Sequence, residues 1–306
     1  MPNTTSWLRS VWPSTVISTV LLILGSGLLF WNEGRSVKRN FSLMEALNDA
    51  ITIDPNSDID PTFSKRLVHF YGQIVTGEPL TEPEYNIQVQ AVKLKRKVQM
   101  YQWVEETIEH NYGQSIDIMD RDERTYYYTQ SWEDHLINSR LFSSPFTHRN
   151  PENFPIESHV QLAETVYIGK YELSKDLKIK FDDFQHISSD QRPDDPTIKL
   201  HQGFYFHSND VFNPEIGDLR LLFSAAGMEG EYYTVVGCIE EGNKIVPYYT
   251  SYKTQINFLF AGKLKLTEVF DRQHKTYRLE SWISRFIGWF DEYGFYRVML
   301  TNHIYR

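Results

Sequence analysis

The side chains suited to catalysis or metal binding are scattered along this chain. Of ten histidines, His201 and His207 are the closest pair. On one strand their even spacing would put both on the same face. A metal site there needs further ligands that no neighbouring run supplies, so ordinary surface or core histidines are the simpler reading. A hydrolase using both, with nearby carboxylates, is the enzymatic alternative. Asp182-Asp183 and Asp194-Asp195 offer paired carboxylates for acid–base work, but their polar, loop-like setting reads as solvated turns. The single cysteine, Cys238, can form neither an intramolecular disulfide nor a thiolate metal site. It reads as a buried strand residue, with an intermolecular disulfide or a reactive thiol as the alternative. There is no Walker loop, dinucleotide fingerprint, paired-cysteine pattern, HExxH or GxSxG. The expectation is therefore no enzyme, with no catalytic residue, metal or cofactor.

The elements around these residues explain the negative result. No charge falls between Arg9 and Glu33, and an apolar stretch of this length suits a helix crossing a hydrocarbon core. A transmembrane helix is predicted over 11–32 after a tail at 1–10. Trp12 and Trp31 stand at its ends, where indoles favour the interface, and Arg35 follows. Gly25-Ser26-Gly27 lies inside it, where small residues permit close helix packing. A cleaved signal peptide is the rival, but Phe30, Trp31, Asn32 and Glu33 make a poor cleavage site. The basic flanks favour a cytoplasmic large domain by about one charge. Residues 33–61 read as a neck helix, Leu43–Ile53, and a linker. Residues 62–275 read as a β-rich soluble domain.

Period-two patterning predicts strands at Leu67–Ile74, ending near Gly72, and at Val89–Val104, Thr125–Trp132 and Ile198–His207. A hairpin is predicted from Tyr232–Glu240 and Lys244–Tyr249, and a helix at Asp134–Phe142. The fold class is mainly β and antiparallel, with an N-terminal transmembrane helix and a C-terminal amphipathic helix over 276–306. Two related β units, 62–135 and 190–270, would explain why Gly72 and Gly203 each precede a Pro-Glu pair at the same offset; chance alignment would explain it too. At the C-terminus, Ile283, Phe286, Ile287, Phe290 and Tyr293 recur at helical spacing, which fits an interfacial helix or one packed on the soluble domain. Lys93, Lys95 and Lys97 share a strand face that could meet anionic lipid or solvent. The net charge of −9 argues against a nucleic-acid partner. A large domain without a recognisable site on a membrane anchor points to binding or scaffolding, with lipid sensing through the basic strand face and the aromatic C-terminal helix as the alternative.

Several runs, in order, resemble the transmembrane protein 43 (LUMA) family. They are Trp31-Asn32-Glu33-Gly34-Arg35; the run from Glu78 to Tyr85 with Pro79 and Pro83; Val98–Glu105 with Tyr101 and Trp103; Asn138-Ser139-Arg140 followed by His148, Asn150 and Pro151; Pro214–Arg220 with Gly217 and Asp218; and Glu268-Val269-Phe270. The resemblance implies residence in the endoplasmic reticulum and inner nuclear membrane with a lumenal large domain, against the weak charge reading. It also implies a role in organising nuclear-envelope complexes, with emerin and lamins as partners, and self-association in the bilayer. Family members continue into further hydrophobic spans, whereas this sequence stops at Arg306. The family offers no catalytic residues to carry over.

Overall fold

The structure is a computed structural model. It describes the chain outside residues 1–3, 59, 110–123, 190–192, 242 and 305–306; for 4–19, 21–22, 108–109, 124 and 287–304 it describes the backbone alone. The chain is mainly β, with a long helix at each end, Thr4–Asp49 and Leu266–Ile304. It divides into two compact units. One combines Met1–Gly72 with Tyr232–Arg306, and the other is Gln73–Glu231.

In the first unit both helices contribute to one core. Leu43 and Ala46 from the N-terminal helix and Val269 and Phe270 from the C-terminal helix join Leu67, Val236, Ile256 and Phe258. Phe270 meets Phe258 edge-on, with ring centroids 5.6 Å apart. Burying each large apolar side chain contributes on the order of 2 kcal/mol. Tyr232–Glu240 pairs antiparallel with Lys244–Val246 and with Phe258–Ala261, so the expected hairpin is present. Asn243 at φ 62° turns it, a left-handed conformation that Asn tolerates. Ile51–Thr52 runs parallel to Leu67–Thr76.

Three boundaries differ from expectation here. The neck helix is not separate, because the N-terminal helix is continuous to Asp49 and Ile51–Thr52 becomes a strand. Gly34 is the one poor helix former between Glu33 and Asp49 in backbone terms, at about 1 kcal/mol, and burial of Leu43 and Ala46 outweighs it. The strand expected to end near Gly72 runs on to Thr76, since Ile74 pairs with Ile168. The C-terminal helix begins ten residues before the expected 276. Its first turns carry Val269 and Phe270 into the core.

The second unit is built on one long strand, Ala91–Glu109. It pairs antiparallel with Leu219–Met228 on one side and Arg124–Glu133 on the other, and in part with His159–Leu162. Tyr85, Tyr205 and Phe223 form its aromatic centre. Burial pushes the Tyr85 phenol up to about 12. Gly227 sits at φ +68° with Phe181 so close that a Cβ would fall 2.6 Å from its ring, so no larger residue fits. The expected strand Ile198–His207 is instead a tight hairpin, Ile198–His201 with Phe204–His207. Gln202 and Gly203 turn it at φ 49° and 80°, the left-handed pair that two-residue hairpin loops require. Gly72 lies within a strand and Gly203 in this turn, so the positions equated by the repeat pattern have different local structures.

The expected helix at Asp134–Phe142 reduces to a single 3₁₀ turn, Ser139–Leu141. Gln102 explains why. Its Nε2 donates to the His135 carbonyl at 2.9 Å, and its Oε1 accepts from the Ile137 N–H at 3.0 Å. The backbone groups a helix would satisfy are held by the long strand instead.

His69 ties the first unit together. It is 1 % exposed, with Nε2 3.1 Å from the Leu264 carbonyl and Nδ1 3.1 Å from the Thr52 hydroxyl. A carbonyl only accepts, so Nε2 carries a proton, and burial disfavours a second one on Nδ1. Burial lowers its pKa below the ordinary 6.5, with the Leu264 bond opposing. The unfolded chain therefore takes up this proton at a higher pH than the folded one. The stabilisation is complete above pH 6.5 and is lost as pH falls below it. Thermal unfolding of the full chain in detergent should shift to lower temperature through that range, and His69→Gln should weaken the dependence. An unchanged pH profile in that variant would show that His69 does not carry it.

Candidate functional site: the paired-helix neck

The run Trp31–Arg35 finds its partners on the C-terminal helix. Asn32 is fully buried, and its Nδ2 donates to the Ser281 carbonyl at 3.1 Å. Arg285 grips Glu33 with two bonds of 2.6 and 3.0 Å, the bidentate geometry that guanidinium favours. Arg39 donates to Glu280 at 2.6 Å and lies over the Tyr277 ring. Lower N-helix numbers thus meet higher C-helix numbers, so the two helices run antiparallel. The C-terminal helix heads back in the direction from which the N-terminal helix came. Arg35 caps the exposed Trp31 ring at 4.8 Å. No atom lies within 4 Å of where a Cβ on Gly34 would sit. Trp12 falls outside the described side chains. Among the described residues, no helix is long and apolar enough to cross a membrane, and half of the side chains of the expected 11–32 span lie outside them.

A second group of motif residues converges in the second unit. Asn150, 5 % exposed, accepts from the Trp103 N–H at 2.7 Å and donates to the Trp103 carbonyl at 3.0 Å and the Ile137 carbonyl at 3.3 Å. Its own N–H donates to Ser139 Oγ. Asn138 caps the 3₁₀ turn by accepting from the Arg140 N–H. The Tyr101 backbone exchanges bonds with Gly217 and Asp218. Gly217 is at φ +100° against Pro151, and the Asp218 carboxylate accepts from the Glu215 N–H at 2.8 Å. His148 stacks on Tyr128 and meets Trp103 edge-on. Pro83 opens the 3₁₀ turn that delivers Tyr85 to the aromatic centre, and Pro79 precedes the short strand Leu80–Glu82. Beside this group lies a cleft of about 640 Å³ bounded by Leu136, Arg140, Phe146 and Arg149.

Comparison with known proteins agrees with these motifs. The family model described as transmembrane protein 43 matches residues 100–299. A Drosophila melanogaster protein named transmembrane protein 43 homolog is 49 % identical over 290 residues, covering 94 % of this chain and 77 % of its own length. The chain belongs to the transmembrane protein 43 family. Transmembrane protein 43 of Homo sapiens is 32 % identical over 281 residues, 89 % of this chain and 70 % of that protein. The Pongo abelii protein is 32 % identical over 290 residues, with 92 % and 72 % covered. No solved structure matches the chain. Membership in a family of transmembrane proteins supports a membrane location.

The residues singled out for chemistry do not gather in this family member. His201 and His207 sit on different strands of the hairpin. His201 lies against Phe212, while His207 meets the Tyr85 hydroxyl at 3.1 Å and burial lowers its pKa. Asp195 accepts from the Thr197 N–H and hydroxyl, as a turn residue does. Among the described residues no three metal-ligating side chains cluster. Cys238 is half-buried in its strand, and burial raises its pKa, which disfavours the reactive thiolate. The basic strand face is broken up. Lys93 is buried and donates to the Ile179 and Phe181 carbonyls, Lys95 lies over Phe184, and Lys97 pairs with Asp134. Sequence reading missed Ser281, and no side-chain signal marks it, because it meets Asn32 through its backbone carbonyl.

Two substitutions weigh the contacts. Asn150→Ala leaves the Trp103 backbone groups unpaired in a buried position and should cost about 2–3 kcal/mol, read by denaturant unfolding; a loss under about 0.5 kcal/mol would mean the loop holds without it. In the neck, apolar burial outweighs the half-exposed ion pair. Phe270→Ala should cost about 3 kcal/mol or more, whereas Arg285→Gln should leave the unfolding midpoint nearly unchanged. The reverse ranking would show that the ion pair holds the helices.

Proposed function

We propose that this chain is a membrane-anchored scaffold without enzymatic activity, organising protein complexes at the inner nuclear membrane and endoplasmic reticulum and helping to maintain nuclear-envelope structure. The observation that carries the reading is how the family motifs are used. Trp31–Arg35, Tyr101, Trp103, Asn150 and Gly217 hold helices and loops in place, and family membership supplies the membrane. A rigid domain on an anchor confines its contacts to two dimensions, which raises effective concentration and lets weak contacts suffice. By family resemblance the partners are emerin, lamins and further copies of the chain, and the large domain is lumenal. The acidic balance argues against nucleic acid.

Mild crosslinking in intact cells, followed by recovery of the full chain, tests the scaffold role. Stable complexes containing emerin or lamins support it. Free diffusion through the reticulum with no partner recovered would overturn it. The topology has its own test. Asp58→Thr creates a glycosylation acceptor at the exposed Asn56. An endoglycosidase-sensitive mass shift is expected for a lumenal domain, and an unshifted, protease-accessible domain would contradict it.

A further inference from the structure

The neck carries a charge distribution that the helix pairing does not use. In a chain of net charge −9, residues 33–40 and 274–285 hold six cations against two carboxylates. Both carboxylates are engaged, Glu33 by Arg285 and Glu280 by Arg39. Lys275 and Arg278 make no ion pair among the described residues. They line a cleft of about 540 Å³ between the two helices, together with Ser36, Asn40, Trp282 and Arg285. His274 adds a further donor or cation, and no carboxylate lines the cleft.

Its position narrows the ligand. Ser36 follows Trp31 by five residues, so at 1.5 Å per residue the cleft opens about 8 Å along the helix from the interfacial indole. That is the depth of the headgroup layer, which extends roughly 5–8 Å beyond the hydrocarbon on each side. Trp282, 59 % exposed and stacked on Phe286, stands at the same end of the cleft, with an apolar body for acyl chains and an N–H for the headgroup. The cations reach further out, toward Asn40. We propose that this cleft binds the headgroup of an anionic glycerophospholipid, with Arg278 and Lys275 as its charged contacts, the Ser36 hydroxyl and Asn40 amide as donors, and Trp282 against the acyl chains. Basic pockets between helices on the cytoplasmic or matrix face of membranes bind such headgroups, and the same charge chemistry applies on whichever face the neck lies. The site goes beyond the scaffold reading; it rests on that reading's membrane anchor, with Trp31 at the interface, and not on its protein partners.

Native mass spectrometry of the full chain in detergent reads the site. Three probes are titrated: dioctanoyl phosphatidylserine, dioctanoyl phosphatidylcholine and inorganic phosphate. Phosphatidylserine should bind on the order of tenfold more tightly than phosphatidylcholine. Lys275→Gln with Arg278→Gln should abolish that preference, and no ion pair among the described residues is broken by the change. Lys275→Arg with Arg278→Lys keeps the charge and should keep the preference, and so should Arg272→Gln, whose charge lies on the same helix outside the cleft. Equal binding of the two lipids, or an undiminished preference in the Gln variant, would overturn the proposal. Inorganic phosphate binding as tightly as phosphatidylserine would also overturn it, since the site would then recognise free anion and not lipid.

Discussion

The contact between the N-terminal and C-terminal helices closes the chain on itself. Asn32 meets Ser281 across 249 residues of sequence, and bringing such distant segments together carries an entropic cost that grows slowly with length. The offset comes from the apolar seam below, where Leu43 and Ala46 share a core with Val269 and Phe270. The polar pairs above it fix which residues face each other. Asn32 satisfies its amide donor, and its Oδ1 has no partner among the described residues. An incompletely satisfied buried amide adds little stability, but it penalises any slip of one helix along the other, as single buried polar residues do in helix pairs. The second unit, Gln73–Glu231, is inserted between the two halves of the first. The first unit's core is therefore complete only when both ends of the chain are present.

Much of this was legible in the sequence. The long strand and the Tyr232–Val246 hairpin follow from period-two patterning, the N-terminal helix from its charge-free apolar run and the C-terminal helix from apolar residues at helical spacing. What sequence missed depended on distant partners. Gln102 unmakes a helix at 134–142 by taking its backbone bonds from 33 residues away, which no local propensity reports. The Ile198–His207 run alternates well, but Gln202 and Gly203 fold it in half, so the two histidines part. The lysines at 93, 95 and 97 have a strand's spacing, yet Lys93 turns inward to two carbonyls.

The motif residues behave alike in both units. They terminate turns, bridge backbones and pair helices, work that needs particular side chains without reacting ones. In the neck both carboxylates, Glu33 and Glu280, are engaged by arginines, and Lys275 and Arg278 line the cleft between the helices with no ion pair among the described residues. Arg285 serves both the pairing and the cleft wall, whereas Lys275 and Arg278 line the cleft without pairing the helices, so the helix pair can be intact whether or not the cleft is filled.

The pairing itself is the most direct thing to measure. In a Cys238→Ser background, cysteines replacing Glu33 and Arg285, and in a second variant Glu33 and His274, are treated in native membranes with a short bifunctional thiol reagent. The antiparallel pairing requires efficient intramolecular crosslinking of the 33/285 pair and little of the 33/274 pair. Crosslinking of 33/274 in preference to 33/285 would contradict the register, and with it the account of how the two ends of this chain meet.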